Sequence, residues 1–139
     1  MNEQQNVALV KKAFEAFGRG DVQAILDFSS NDSELYFPGP DVIPYAGRKR
    51  GRSEMQTFFD SLITTQKNVN LSIDQFVAQD NAVVAIGRYT GQVKSTGKSI
   101  DTPVVLAFHI EGGKITRHLL MSDTAAIASS YTAAAAAAQ

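Results

Sequence analysis

Val7, Val10, Phe14 and Phe17 recur three or four positions apart, which predicts an amphipathic helix from about Glu3 to Gly18, stopped at Gly18 or Gly20. Asp21 then stands where a helix cap belongs, ahead of a shorter helix carrying Val22, Ile25, Leu26 and Phe28. The polar cluster Ser29–Ser33 ends it. Glu34 to Phe37 reads as a short strand halted by Pro38-Gly39-Pro40, and a Pro/Gly-rich loop follows as far as Gly51. Ser53 and Gln56 have capping-box spacing, and behind them Met55, Phe58, Phe59, Leu62 and Ile63 predict a third helix with an aromatic stripe turned to a core. The remainder reads as β, with strands near Val69–Gln79, Ala82–Lys94, Ile100–Glu111 and Lys114–Asp123. They are joined by Asp80-Asn81, Ser95-Thr96-Gly97 and Gly112-Gly113, all of hairpin length. Helices first and an antiparallel meander last make an α+β fold: three N-terminal helices on a strongly curved sheet, with one apolar pocket between the layers. The expected domain covers residues 1–128, and the alanine-rich tail, 129–139, is assigned no chemistry.

Strand register decides what enters that pocket. A two-residue turn at Gly112-Gly113 sets Glu111 opposite Lys114, and then pairs Ile110–Ile115, Phe108–Arg117, Leu106–Leu119, Val104–Met121 and Thr102–Asp123. Opposed residues share a face, and this mostly apolar face is expected to be the covered one. The preceding hairpin sets Thr90 opposite Thr102 and Arg88 opposite Val104, although a bulge in its loop would shift that register by one. Asp123, Arg88, Thr90 and Thr102 then form a polar group within an oily inner face. A carboxylate among Leu119, Met121, Val104 and Leu106 must be paired, hydrogen-bonded or neutralised. Three roles stay open for Asp123: a general base, a cap for the following helix, or an ion-pair partner of Arg88. Tyr36 and Tyr45 are candidate hydrogen-bond donors to a ligand carbonyl, or core residues with their hydroxyls satisfied at the edge. Phe14, Phe17, Phe37, Phe58, Leu62, Leu106, Phe108, Leu119 and Met121 are expected to line the pocket. His109 and His118 fall on the other face with Ala107, Val105, Leu120 and Tyr89, an outer surface apolar enough to suggest that two sheets pair as a homodimer.

Composition narrows the function classes. With 13 basic and 14 acidic residues the formal net charge is -1, which gives no electrostatic case for nucleic acid. The Arg48-Lys49-Arg50-Gly51-Arg52 run reads as a solvated loop, or as an attractor for an acidic ligand. Absence of cysteine excludes disulfides, thiolate nucleophiles and cysteine metal sites, and two histidines argue against zinc. No cofactor or metal is expected. No apolar run reaches the roughly 18 to 20 residues of a membrane span, and the start of the chain lacks the layout of a signal peptide, so a cytoplasmic location is expected.

The stretches Phe14-Glu15-Ala16-Phe17-Gly18-Arg19-Gly20-Asp21, Tyr36-Phe37-Pro38-Gly39-Pro40, Pro44-Tyr45-Ala46-Gly47, Gly51-Arg52 and Gly113-Lys114-Ile115 to Asp123 together resemble the SnoaL-like polyketide cyclase group. That group sits within the nuclear-transport-factor-2-like and ketosteroid isomerase-like superfamily. The resemblance spans nearly the whole chain except the tail. It implies a cone-shaped (cystatin-like) α+β roll, commonly a homodimer, around a small hydrophobic organic molecule. The fold hosts isomerases, cyclases, epoxide hydrolases, dehydratases and binders, so it does not choose a reaction. The steroid isomerase base position falls at Phe37, its helix tyrosine near Ala13 and its acid at Val105 or Leu106, which argues against that activity. Arg88 and Asp123 match two residues of the epoxide hydrolase branch, but Thr90 replaces the aspartate between them. Asp123 also matches the single acid/base of the cyclase branch. The resemblance therefore implies proton transfer next to a ligand carbonyl by Asp123, with Arg88 tuning its pKa or holding a ligand oxygen, or else a non-catalytic ligand-binding or dimerisation module.

Overall fold

A computed structural model describes residues 2–133. Of the alanine-rich tail, residues 134–139 lie outside the described residues. Helix α1 (Glu3–Gly18) starts with a reciprocal cap: the Asn2 side chain accepts from the Gln5 amide, and the Gln5 side chain accepts from the Asn2 amide. It stops at Gly18-Arg19-Gly20, where Gly20 takes a φ of +71°. Asp21 then caps α2 (Val22–Asp27) through the Ala24 amide, as the sequence predicts.

Strand β1 (Ser29–Phe37) begins five residues earlier than expected. The loop after it contains a strand the hydropathy pattern does not show, β2 (Gly47–Arg50), an edge strand whose consecutive cations Arg48, Lys49 and Arg50 alternate between exposed and half-buried. Helix α3 (Gly51–Thr65) starts two residues before Ser53. The expected Ser53–Gln56 box is replaced by an Arg50 amide that donates to the Glu54 carboxylate. Strands β3 (Gln66–Gln79), β4 (Ala82–Val93), β5 (Ser99–Glu111) and β6 (Lys114–Ser122) follow, and α4 (Thr124–Tyr131) crosses the expected domain end at residue 128.

The six strands form one mixed sheet in the order β2-β1-β6-β5-β4-β3. The β3–β6 meander is antiparallel, and β6 closes against β1 in parallel. Helix α3 carries the chain from the β2 edge to the β3 edge across the concave face, while α1 lies against β3 and β4. The core fills the space between, with Val10, Leu35, Ile43, Met55, Phe58, Val83, Ile100, Ile110 and Ile115 all at most 2% exposed.

Two register corrections follow from irregularities that alternation alone cannot show. In β5–β6 the first pairs, Glu111–Lys114 and Ile110–Ile115, form as expected. Thr116 is then extruded, its hydroxyl donating to the His109 carbonyl, and His109 pairs with Arg117. Beyond this bulge every β6 side chain changes face. His118, Leu120 and Ser122 turn inward, while Leu119 and Met121 are 40% and 44% exposed. In β4–β5 the connection closes through Val93–Lys98 and Gly97–Val93 backbone hydrogen bonds, so Tyr89 pairs with Thr102 and Arg88 with Pro103. Tyr89 is therefore buried, and Arg88 and Thr90 face outward.

The bend of the sheet has a local cause. Strand β3 is irregular between Ile73 and Gln75, opposite Gly87. A Cβ at Gly87 would lie 2.0 Å from the Ser72 carbonyl oxygen, so β3 folds over the inner face of β4 only because that position is bare.

Candidate functional site

A partly open cavity of about 100 Å³ lies within the cone. Its helical wall is Ala13, Phe14 and Phe17 from α1, Ile25 from α2, and Phe58, Phe59 and Leu62 from α3. Phe37, Leu71, Val104, Leu106, Phe108 and Leu120 form the sheet wall, and Ile127 of α4 closes one end. Edge-to-face ring contacts hold this shape: Phe58 meets Phe59 and Tyr45, and Phe14 meets Phe108.

The polar atoms of the wall come from Tyr45, Tyr89, Thr102, His118 and Ser122, and most are already committed. Gln66, 3% exposed, gathers the phenols: its amide nitrogen donates to Tyr45 (3.0 Å) and Tyr131 (2.9 Å), and its carbonyl accepts from Tyr89 (2.6 Å). Thr65 gives its proton to the Ser61 carbonyl and so accepts from Tyr131 at 2.7 Å. Burial pushes the Tyr45 and Tyr89 phenols well above the usual tyrosine range, with neighbouring Tyr131 adding to it in both cases. They stay protonated and apolar-facing. Thr102 donates to the Pro103 carbonyl and accepts from the Asp123 amide.

Asp123 takes the capping role. Its carboxylate accepts from the Ala126 amide at 3.2 Å and starts α4, an interaction worth about 1 kcal/mol. It does not line the cavity. Arg88 is not its partner: the guanidinium, on the opposite face, pairs with Asp101. The expected inner polar group therefore does not assemble, because the β4 and β6 registers each move by one residue; Thr102 alone of the four stays at the wall. Of the expected lining, Phe14, Phe17, Phe37, Tyr45, Phe58, Leu62, Leu106 and Phe108 are in place. Met121 bounds the cavity with its side chain largely outside. Leu119 lies on the outer face, and Tyr36 lies outside beneath the Arg48 guanidinium, 4.1 Å from the ring centre.

His118, expected outside, is the residue sequence reasoning misplaced. It is 5% exposed, lines the cavity, packs edge-on against Phe108, and places Nε2 3.1 Å from the Ser29 hydroxyl. Burial lowers its pKa to about 4, so the imidazole is neutral at pH 7. His109 stays outward, near Glu111. Among the described residues no cluster of His, Asp and Glu could hold a metal, and no helix is long and apolar enough to cross a membrane.

Known proteins are similar to this chain in structure or in sequence. An NTF2-like protein from Burkholderia xenovorans LB400 is 33% identical, with 95% of this chain and 99% of that one covered at a TM-score of 0.82. An NTF2-like protein from Burkholderia pseudomallei K96243 is 25% identical, with 96% and 100% covered at a TM-score of 0.87. The uncharacterized protein Rv0034 of Mycobacterium tuberculosis H37Rv is 25% identical over 119 residues, 84% of this chain and 88% of its own length. The SnoaL-like domain model matches residues 10–118, from the buried Val10 of α1 through to the cavity histidine, and the chain belongs to that family.

Proposed function

We propose that this SnoaL-like domain binds a small, mainly apolar organic molecule of about one ring. The observation that carries this reading is a cavity of about 100 Å³ whose wall holds aromatic and aliphatic side chains and, among the described residues, no carboxylate, lysine or arginine. Apolar cavities of about 150 Å³ stay dry and admit benzene, so the guest here is of that order. A carboxylate base acting from Asp123 is not what the geometry favours, since that group is spent on the α4 cap outside the wall. Benzene, titrated at pH 7, should raise the unfolding midpoint by about 4 °C at tenfold its Kd. Naphthalene should do so far less. No stabilisation by benzene, toluene or cyclohexane would remove the binding role.

The assembly is a second part of the proposal. On the outer face, Ile86, Val105 and Met121 form one cross-strand row, beside a second row of Val77, Val84, Ala107 and Leu119. Five of these side chains, Val77, Ile86, Val105, Leu119 and Met121, are at least 37% exposed. A patch on the central strands can serve both partners of a two-fold pair. Light scattering should give twice the single-chain mass, and Val105→Glu should halve it. A single-chain mass for the unaltered protein rejects the pairing.

A further inference from the structure

The cavity wall offers a guest very few polar atoms, and the hydrogen-bond inventory shows which. Tyr89 donates to Gln66, Tyr45 accepts from Gln66 and turns its own proton to Tyr131, and Thr102 both donates and accepts within the protein. Two groups are left. The Ser122 hydroxyl is buried without a partner. The His118 imidazole is bound only through Nε2, and Nδ1 has no partner among the described residues.

The proton on that imidazole can be followed. Ser29 opens β1, two residues after the end of α2, and its hydroxyl reaches back to the Ile25 carbonyl, four residues earlier, at 3.5 Å. A hydroxyl has one proton. If that proton is directed at Ile25, the Ser29 oxygen accepts from Nε2–H of His118 across 3.1 Å; the opposite tautomer reverses this bond. The neutral ring then carries its lone pair on Nδ1, and of the two bonded side chains His118 lines the cavity and Ser29 does not.

We propose that Nδ1 of His118 is a hydrogen-bond acceptor that selects a hydroxylated guest, a phenol or small alcohol, over a plain hydrocarbon or a ketone. The proposal rests on the binding reading above and adds the guest's polar group to it. An apolar pocket whose acceptor is Nδ1 disfavours a guest that leaves it unpaired, and a ketone brings no proton for it. Ser122 is a separate anchor. It lies four residues along the same strand, roughly 13 Å away at the usual rise, too far for a one-ring guest to bridge both. Burial keeps the ring neutral at pH 7, so one of its two nitrogens bears no proton.

The test compares benzene, phenol and cyclohexanone on the unaltered protein, His118→Leu and Ser122→Ala at pH 7, by calorimetry or ligand-observed NMR. In His118→Leu, phenol should weaken relative to benzene by roughly 10- to 100-fold, the cost of a lost buried hydrogen bond. Ser122→Ala should leave that ratio unchanged. An unchanged ratio in His118→Leu, a loss carried by Ser122→Ala, or tighter binding of cyclohexanone than of phenol overturns the assignment while leaving the pocket standing. If neither benzene nor phenol binds the unaltered protein, the pocket reading falls with it. Should His118→Leu fail to fold, the nitrogen-15 spectrum of the unaltered protein decides. The Nε2-protonated tautomer, with Nδ1 shifting on phenol addition, supports the proposal, and the Nδ1-protonated tautomer overturns it.

Discussion

Gly87→Ala is expected to cost about 4 kcal/mol or more, lowering the unfolding midpoint by on the order of 10–15 °C in a domain of this size. The added Cβ would meet the Ser72 carbonyl oxygen at 2.0 Å, the Ile73 Cα at 2.8 Å and the Ser72 carbonyl carbon at 2.9 Å. All three are backbone atoms, so no rotamer change relieves the contact. Either β3 lifts from β4, or the fold over the concave face opens. Ordinary overpacking costs about 1–3 kcal/mol because side chains can give way; here the strand itself must move. Strand β3 also brings Leu71 to the cavity and Gln66 to the buried phenols, so lifting it loosens both. Gly18→Ala is the control. That glycine ends α1 with open space around it, and alanine there should be neutral or stabilising by a few tenths of a kcal/mol. Urea and thermal unfolding of the two variants decide the matter. A Gly87→Ala midpoint within about 3 °C of the unaltered protein would mean that β3 does not sit so close.

The same bend marks where the sequence stops being legible. Elements with strong local signals are read correctly: the Asp21 cap, the Gly18–Gly20 stop, the Phe58–Leu62 stripe and the Gly112-Gly113 turn all sit where the pattern puts them. So does the inner face of β5, with Thr102, Val104, Leu106 and Phe108, because its alternation is unbroken over the whole strand. The flanking strands fail for one reason each. Thr116 is a plain residue in a plain strand, and nothing in its identity announces that it will be extruded. The β4–β5 connection closes at Val93 and Lys98, outside the three turn residues that catch the eye. A period of two makes each slip total: one residue sends Arg88 out, brings Tyr89 in, and exchanges Leu119 and Met121 for His118 and Leu120. A signal was available in β4, where Gly87 and Gly91 stand four apart on the face of Val83, Ala85 and Tyr89. Small residues on one face of a strand mark a close approach, and the covered face is the one that needs it. The fold survives these slips because its hydrophobic sum hardly changes; the site does not, because it depends on which single polar side chain points inward.

That side chain should also govern acid stability. His118 is held at a pKa of about 4 in the folded chain by burial, against about 6.5 when unfolded. Burial is the cause: Ser29 is its hydrogen-bond partner, and Leu35 and Phe108 face it from β1 and β5, while Glu34 and Arg117 lie toward the outer groove. A depressed value means that the unfolded chain takes up the proton first as pH falls. Stability is therefore undiminished above about pH 6.5, declines between pH 6.5 and pH 4 with a slope approaching 1.4 kcal/mol per pH unit, and levels off below. The total is about 3 kcal/mol, a large part of the 5–15 kcal/mol a domain usually has. Other groups titrate over the same range, so the quantity to measure is a difference. Urea unfolding of the unaltered protein and of His118→Leu at intervals from pH 3.5 to 8 should give two curves parallel above pH 6.5. The unaltered protein should then fall relative to the variant toward pH 4. Curves parallel throughout, or a His118 resonance that titrates near 6.5 in the folded protein, would place the imidazole in water instead of in the wall of the cone.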